Sequence, residues 1–468
     1  MNRRQLLALS TALAAGSLAG CTADTEGDDE GNGDERENGD ERDEPGVEPD
    51  IGDETLQELV AETNGFAFDL YGELLATNPD ENLFASPVSV SIALAMSYAG
   101  AREQTREQMR QALRYTLDDD ELHPSFNELQ RRLGERGSDT GDGDENGSED
   151  TDDTDGNNDA EDDGIPFELA LVNSVWGQEG YPFEEAFLEI LEQHYGGGLR
   201  EVDYGSDAEA ARQEINEWVA GETEDRIEEL LPEGSLDGLT RLVLVNAIYF
   251  LANWKHPFPE DATSTERFVA LDGTEHDVPM MRQERQFPYA DVDGTQAVEL
   301  PYVGEEVSML LILPPEGEFE EYEAAFDETT LEELLATLDS REGTVEFPRF
   351  EFEGSFELED SLRALGMEDA FEYGTADFSG IAPPEETDED LYIWDVYHDT
   401  FVAVDEEGTE AAAATAVVIG DESAPLDPFE FVADRPFLFA IRDRPTGTVL
   451  FLGRAVDPGA WTDPAAEE

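Results

Sequence analysis

The stretch Val404-Asp405-Glu406-Glu407-Gly408-Thr409-Glu410-Ala411-Ala412-Ala413-Ala414-Thr415-Ala416-Val417-Val418-Ile419-Gly420-Asp421-Glu422-Ser423-Ala424-Pro425-Leu426 decides how the rest of the chain is read. It is entered as a strand, because Phe401, Val402 and Val404 are β-formers. An acidic Glu-Glu-Gly corner turns it, and small and β-branched residues follow up to Pro425. On a pleat, Thr409, Ala411, Ala413 and Thr415 share one face, while Glu410, Ala412 and Ala414 share the other. One face can therefore enter a packed sheet without burying a charge. Alanine is also the best helix former, so a helix surface is the competing reading of the same run.

Around this stretch the chain is extremely acidic. Its 468 residues carry 26 Lys+Arg against 116 Asp+Glu, a net charge of -90, with a pI near 4.1, which makes nucleic acid an improbable partner. Lys255 is the only lysine. Acidic residues fall on predicted helices and strands as well as in runs, including a helix expected over 222–229. That distribution suits a protein kept soluble in concentrated salt, where self-repulsion is damped. The hydrophobic content of 39% supplies a sizeable core, and one large domain fits the patterning.

Residues 1–20 read as an export signal: Arg3-Arg4 precedes a short apolar run ending Leu18-Ala19-Gly20-Cys21, a twin-arginine and lipoprotein pattern. The run is too short to span a bilayer comfortably. Cys21, the only cysteine, is the expected lipidation site, which would hold the protein outside the cell by a lipid anchor alone. Residues 21–50 are Asp, Glu, Gly and Asn with little that is apolar, an expected disordered tether. The insert 138–164 has the same character and is expected to carry no chemistry.

The folded domain is expected over 51–458, followed by a short tail, 459–468. Leu56, Leu59, Val60, Phe66, Leu70 and Leu74 recur at helical spacing until Asn78-Pro79. Ser86 as a cap and Pro87 at the first helical position open a helix apolar on most sides. Two amphipathic helices follow near 103–113 and 121–136, then a strand over 167–177 and helices around Phe187 and Ile215. The run 242–251 is apolar but for Asn246, as in a strand buried on both faces. Residues 268–315 alternate short apolar runs with Asp-Gly and Gly-Glu turns, predicting hairpins. A helix near 330–338, an alternating strand over 345–352 and a final hairpin across Pro445-Thr446-Gly447 complete the pattern.

Catalytic signatures are missing from the sequence: it has no G-x-S-x-G, no H-E-x-x-H and no phosphate-cradling glycine loop, so no catalytic residue, cofactor or metal ligand is assigned. His123, His194, His256, His276 and His398 are too far apart for a sequence-local metal site.

What remains is a resemblance spread along the chain. Asn82-Leu83-Phe84-Ala85-Ser86-Pro87-Val88-Ser89, the segment Asn246 to Phe258 with Trp254, Val345 to Phe352, Asp377-Phe378-Ser379-Gly380-Ile381, Asp395 to His398, the 404–426 stretch and the C-terminal hairpin together resemble the serpins. The resemblance implies an α+β fold of three β-sheets with about eight or nine helices and an exposed reactive-centre loop. It implies a suicide-substrate inhibitor: a serine protease forms an acyl-enzyme with the loop, which then inserts into the main sheet. The hinge corresponds to Glu406, Gly408, Thr409, Glu410, Ala411, Ala412, Ala413 and Ala414. A polar cluster where the sheet opens corresponds to Ser86, Ser89, Asn246 and His398, and a group at its top to Trp254, Arg349 and Glu406.

The scissile bond falls at Glu422-Ser423 by counting from the hinge, and about three residues later by counting back from Pro436, leaving Ala424, Pro425 and Leu426 as alternatives. The expected partner is an extracellular serine protease, glutamate-preferring, elastase-like or subtilisin-like, held in a covalent acyl complex by a monomer. A non-inhibitory, surface-tethered binding or chaperone-like serpin is the alternative.

Overall fold

The computed structural model describes residues 51–136, 168–197, 199–223, 225–384, 387, 391–409 and 428–464. Nine α-helices and fifteen strands lie among these residues. The N-terminal part is helical: α1 (Asp53–Thr77), α2 (Pro87–Gly100), α3 (Glu103–Ala112) and α4 (Asp119–Gly134), with the short strand β1 (Leu83–Ala85) before α2. Every residue of α2 is buried, as its all-round apolar sequence requires, and it lies against β2 (Glu168–Gln178), β4 (Leu242–Asn253) and β15 (Val449–Ala455). Helices α5 (Glu185–His194) and α6 (Tyr204–Glu222) flank β3 (Arg200–Val202).

One sheet has six strands. Its order is β10 (Phe350–Glu357), β11 (Tyr397–Val404), β12 (Gly408–Thr409), β4, β2, β3. β2 and β4 pair antiparallel along ten residues, from Glu168 opposite Leu251 to Gly177 opposite Leu242. β4 is buried from Val243 to Ala252, which explains its near-continuous apolar run.

The other sheet has nine strands, in the order β1, β15, β14 (Phe437–Asp443), β8 (Val307–Leu313), β7 (Thr295–Pro301), β6 (Glu275–Val292), β9 (Asp339–Pro348), β13 (Phe429–Val432), with β5 (Ser264–Val269) paired to β6. Three β-sheets were expected. The described strands form two because the 18-residue β6 runs unbroken from β5, through β9, to β7 and so joins two layers by its own backbone. Phe84 of β1 lies against Phe451 and Phe439 in the shared core, with ring centroids 4.7 and 5.7 Å away. Helices α7 (Phe319–Glu323), α8 (Glu328–Thr337) and α9 (Glu359–Ala364) complete the set.

Two local expectations are corrected. The acidic stretch 222–229 is not a helix: α6 stops at Glu222, and Asp225 takes a left-handed φ of 61°, which breaks the helical run. The alternating segment 345–352 is two strands, one ending at Pro348 and the next starting at Phe350, although the N–H of Arg349 between them still bonds to the Pro279 carbonyl in the register of β9 on β6.

Candidate functional site

The site lies where β11 and β4 meet. Over Tyr397–Thr400 the two strands pair directly and in parallel, in register with Val245–Ile248. Above that they diverge, and β12 sits between them. Thr409 is opposite Val404 of β11 and opposite Ala252 of β4, and Gly408 is opposite Asn253. The segment expected to act as the hinge therefore begins inside the sheet, with Gly408 and Thr409 both buried.

The turn that brings the chain back is built by Asp405. Its Oδ1 accepts the N–H groups of Glu407 at 2.8 Å and Gly408 at 3.0 Å, while its own N–H donates to the Gly408 carbonyl. Burial lifts the Asp405 carboxyl above its ordinary value, against the lowering effect of those two amides. Gly408 is required by proximity: a Cβ there would lie 2.2 Å from the Ala252 carbonyl oxygen and 2.7 Å from Asn253 Cα.

Trp254, Arg349 and Glu406 come together around this turn. Trp254 Nε1 donates to the Asp405 carbonyl at 2.9 Å, and its backbone N–H donates to that of Glu407. The indole stacks on Tyr302 at 4.6 Å, and Tyr302 shares a 2.8 Å hydrogen bond with Thr409 Oγ1. Glu406, only 4% exposed, accepts from Arg349 Nη1 at 3.3 Å and from the Thr263 hydroxyl. Arg349 also reaches Asp463 at 3.3 Å.

Ser86, Ser89, Asn246 and His398 form one buried network across the seam below. Asn246 is in register with His398 on one side and with Asn173 on the other. His398 Nε2 accepts the Ser86 N–H at 2.9 Å, so the proton sits on Nδ1, which donates to Asn246 Oδ1 at 2.5 Å. The imidazole is thus neutral, and burial holds its pKa down at about 3. Asn246 Nδ2 then donates to Ser89 Oγ at 2.6 Å and to Asn173 Oδ1 at 2.5 Å. Parting β11 from β4 breaks the His398–Asn246 bond, so this network acts as a clasp.

Two features of the clasp differ from the sequence reading. Ser86 stands at the cap position of α2, but its hydroxyl donates to the Leu450 carbonyl at 2.7 Å and leaves the helix uncapped by its side chain. Asn173, a full member of the network, was not singled out; the lone amide in Leu171-Val172-Asn173-Ser174-Val175 was the available signal. Its Nδ2 is buried without a hydrogen-bond partner among the described residues. Glu410, Ala411, Ala412, Ala413, Ala414, Glu422, Ser423, Ala424, Pro425 and Leu426 lie outside the described residues, as do Cys21, the tether and the 138–164 insert. Among the described residues no group of three or more His, Cys, Asp or Glu could hold a metal ion, and no helix is long and apolar enough to cross a membrane.

These features define an α+β protein whose main sheet already receives the start of an additional strand at its upper end. The family described as Serpin (serine protease inhibitor) matches residues 61–458. The chain is 43% identical over 399 residues to an uncharacterized serpin-like protein of Thermococcus kodakarensis, covering 84% of each chain. It is 37% identical over 413 residues to the leukocyte elastase inhibitor of Homo sapiens, covering 86% of this chain and 100% of that protein. The crystal structure of the thermophilic serpin tengpin in its native state superposes with a TM-score of 0.73 at 26% identity, covering 88% of this chain and 96% of tengpin. The chain belongs to the serpin family.

Proposed function

We propose that this serpin is a suicide-substrate inhibitor of extracellular serine proteases. The observation that carries the proposal is the seating of Gly408–Thr409 between β11 and β4, which makes residues from 410 onward the natural continuation of a strand already begun. A protease serine hydroxyl adds to the carbonyl of the scissile residue. The peptide C–N bond breaks, the new amine leaves with a proton, and an ester joins the loop to the enzyme. The freed hinge side then threads between the two strands and carries the ester-linked protease with it.

About a dozen threaded residues bonding on both edges, at ~0.5–1.5 kcal/mol per hydrogen bond, release on the order of 10 kcal/mol. That is comparable with a protease's own stability. Small residues from Ala411 to Ala414 keep threading fast relative to hydrolysis of the ester. Glu422-Ser423 suits a glutamate-preferring protease, and Ala424 or Leu426 suits elastase-like or subtilisin-like pockets. Similarity to the leukocyte elastase inhibitor makes elastase the first enzyme to try.

Localisation belongs to the same proposal: export through the residue 1–20 signal and lipidation at Cys21 would tether the inhibitor, as a monomer, on the outer surface. Cys21→Ser should then move the protein from the membrane fraction to the medium. The decisive experiment mixes the protein with an elastase, a subtilisin and a glutamyl endopeptidase and resolves the products in SDS. A stable higher band and a released C-terminal fragment beginning between Ser423 and Asp427 are expected, together with a cleaved form more heat-resistant than the uncut one. Clean cleavage without a higher band for all three enzymes, and no gain in melting temperature, would instead favour a binding or chaperone-like serpin.

A further inference from the structure

A cleft of about 310 Å³ opens beside Trp254, between the segment following β4, the inward side of β6 and the end of β7. Its size is at the low end of small-molecule sites, which span ~300–1,000 Å³. The lining is mixed. Phe258, Phe287 and Leu300 supply apolar surface, Lys255, Arg285 and Arg444 supply positive charge, and Glu299 and Glu305 supply negative charge.

The charge is unexpected for this chain. The protein has 26 basic residues in all and a single lysine, yet that lysine and two arginines converge on one opening. Lys255 pairs with Glu305 at 2.5 Å, and Arg444 reaches the Glu305 carbonyl and, at 3.8 Å, Glu299. Arg442, behind them, lies 3.6 Å from the same Glu299. Three cations therefore share two carboxylates here, and Arg285 makes a fourth, in a protein of net charge -90.

Arg285 is the odd member. Alternation along β6 turns it to the same side as Gln283 and Phe287, and Gln283 is engaged with the His256 and Pro257 carbonyls. Among the described residues the Arg285 guanidinium meets no carboxylate within ion-pair distance. Its contacts are the Gln286 carbonyl, 3.3 Å from Nε, and the Phe287 ring, 5.7 Å from the guanidinium carbon. Arg285 is half-buried, and that burial lowers its pKa.

We propose that this cleft is a binding site for a small amphipathic monocarboxylate, with the carboxylate on Arg285, flanked by Lys255 and Arg444, and the apolar body against Phe287 and Leu300. The fork of a guanidinium matches a carboxylate bidentately, and the aromatic wall adds buried apolar area. The site adjoins Trp254, so an occupant rests against the indole that also holds the Asp405 carbonyl.

The test is calorimetric titration of the full chain in concentrated KCl with phenylacetate, phenylacetamide and sulfate. Saturable binding of one phenylacetate is expected, with the neutral amide and sulfate binding at least about tenfold more weakly. Arg285→Gln should lose about tenfold or more in affinity, Arg285→Lys less, because it keeps the charge without the fork. Ser340 is an exposed lining residue, and Ser340→Phe should close the mouth and abolish binding without changing any charge. Failure of phenylacetate to bind, amide or sulfate binding as tightly, or wild-type affinity in a normally melting Arg285→Gln overturns the proposal. If Arg285→Gln does not fold, retained binding in Ser340→Phe overturns it equally. None of these readouts depends on protease inhibition.

Discussion

At Glu406 a single side chain ties the start of the seated strand to the body of the protein through Arg349 and Thr263. Glu406→Lys would set two cations face to face in a site that is 4% exposed at residue 406, and breaking one partner of such a buried pair costs about 3–5 kcal/mol. The expected outcome is premature insertion or polymerisation, seen as a ladder on native gels; a mutant that stays monomeric with full inhibitory capacity would count against it. His123 offers a second test. Burial holds it at about 4 against an ordinary 6.5, and its Nδ1 bonds to Tyr195 at 2.7 Å. Between those values the unfolded chain carries the proton and the folded chain does not, so stability falls as pH drops from 6.5 toward 4. Full conversion corresponds to about 3 kcal/mol. His398 acts with the same sign, whereas Asp399, pushed up to about 6 by burial, acts oppositely, so the measurement must be a difference. His123→Asn should flatten the pH dependence of the unfolding free energy relative to the wild type; parallel curves would exclude the effect. His398 and Asn246 were legible as an expected cluster only through the family resemblance. The Ser86 hydroxyl was not legible, because its acceptor lies 364 positions away on β15.

Among the elements, β12 is the shortest strand and the most consequential. Gly408→Ala would drive a methyl group into the β4 backbone at Ala252 and Asn253, which cannot yield as a flexible side chain could. We expect the Gly408–Thr409 pair to leave the sheet, with a loss of roughly 1–3 kcal/mol and faster proteolysis near residue 408, both measurable on the uncut protein. An unchanged melting temperature and digestion pattern would show that the pair contributes little. The fold was largely readable at this scale because most elements announce themselves: Leu56 to Leu74 keep helical spacing up to Asn78, and Pro87 opens α2 at its first residue. The acidic 222–229 segment misled, since glutamates favour helices locally while the left-handed Asp225 ends the run. The joining of two of the expected sheets was not readable, because no local pattern reveals that β6 pairs with β5, β9 and β7 along one unbroken strand. Asn173 shows the same limit: a polar residue in an apolar strand signals a partner without naming Asn246.

For the whole molecule the controlling quantity is charge. With a net charge of -90, self-repulsion opposes compaction unless salt screens it, and the screening length grows from ~3 Å at 1 M to ~10 Å at 0.1 M. Circular dichroism and melting temperature should therefore decline together as salt is withdrawn toward about 0.1 M, and invariance would show the acidic surface to be neutral in its effect. The seam shared by β11 and β4 carries a kinetic corollary. Ordinary strand addition starts with an entropic hurdle, the capture of a first residue from a mobile chain. Thr409 has already crossed that hurdle, since both of its neighbours hold it before any protease arrives. In the proposed mechanism the slow event left is unfastening His398 from Asn246, so the activation enthalpy of trapping should track substitutions at those two residues and be indifferent to the length of the loop beyond.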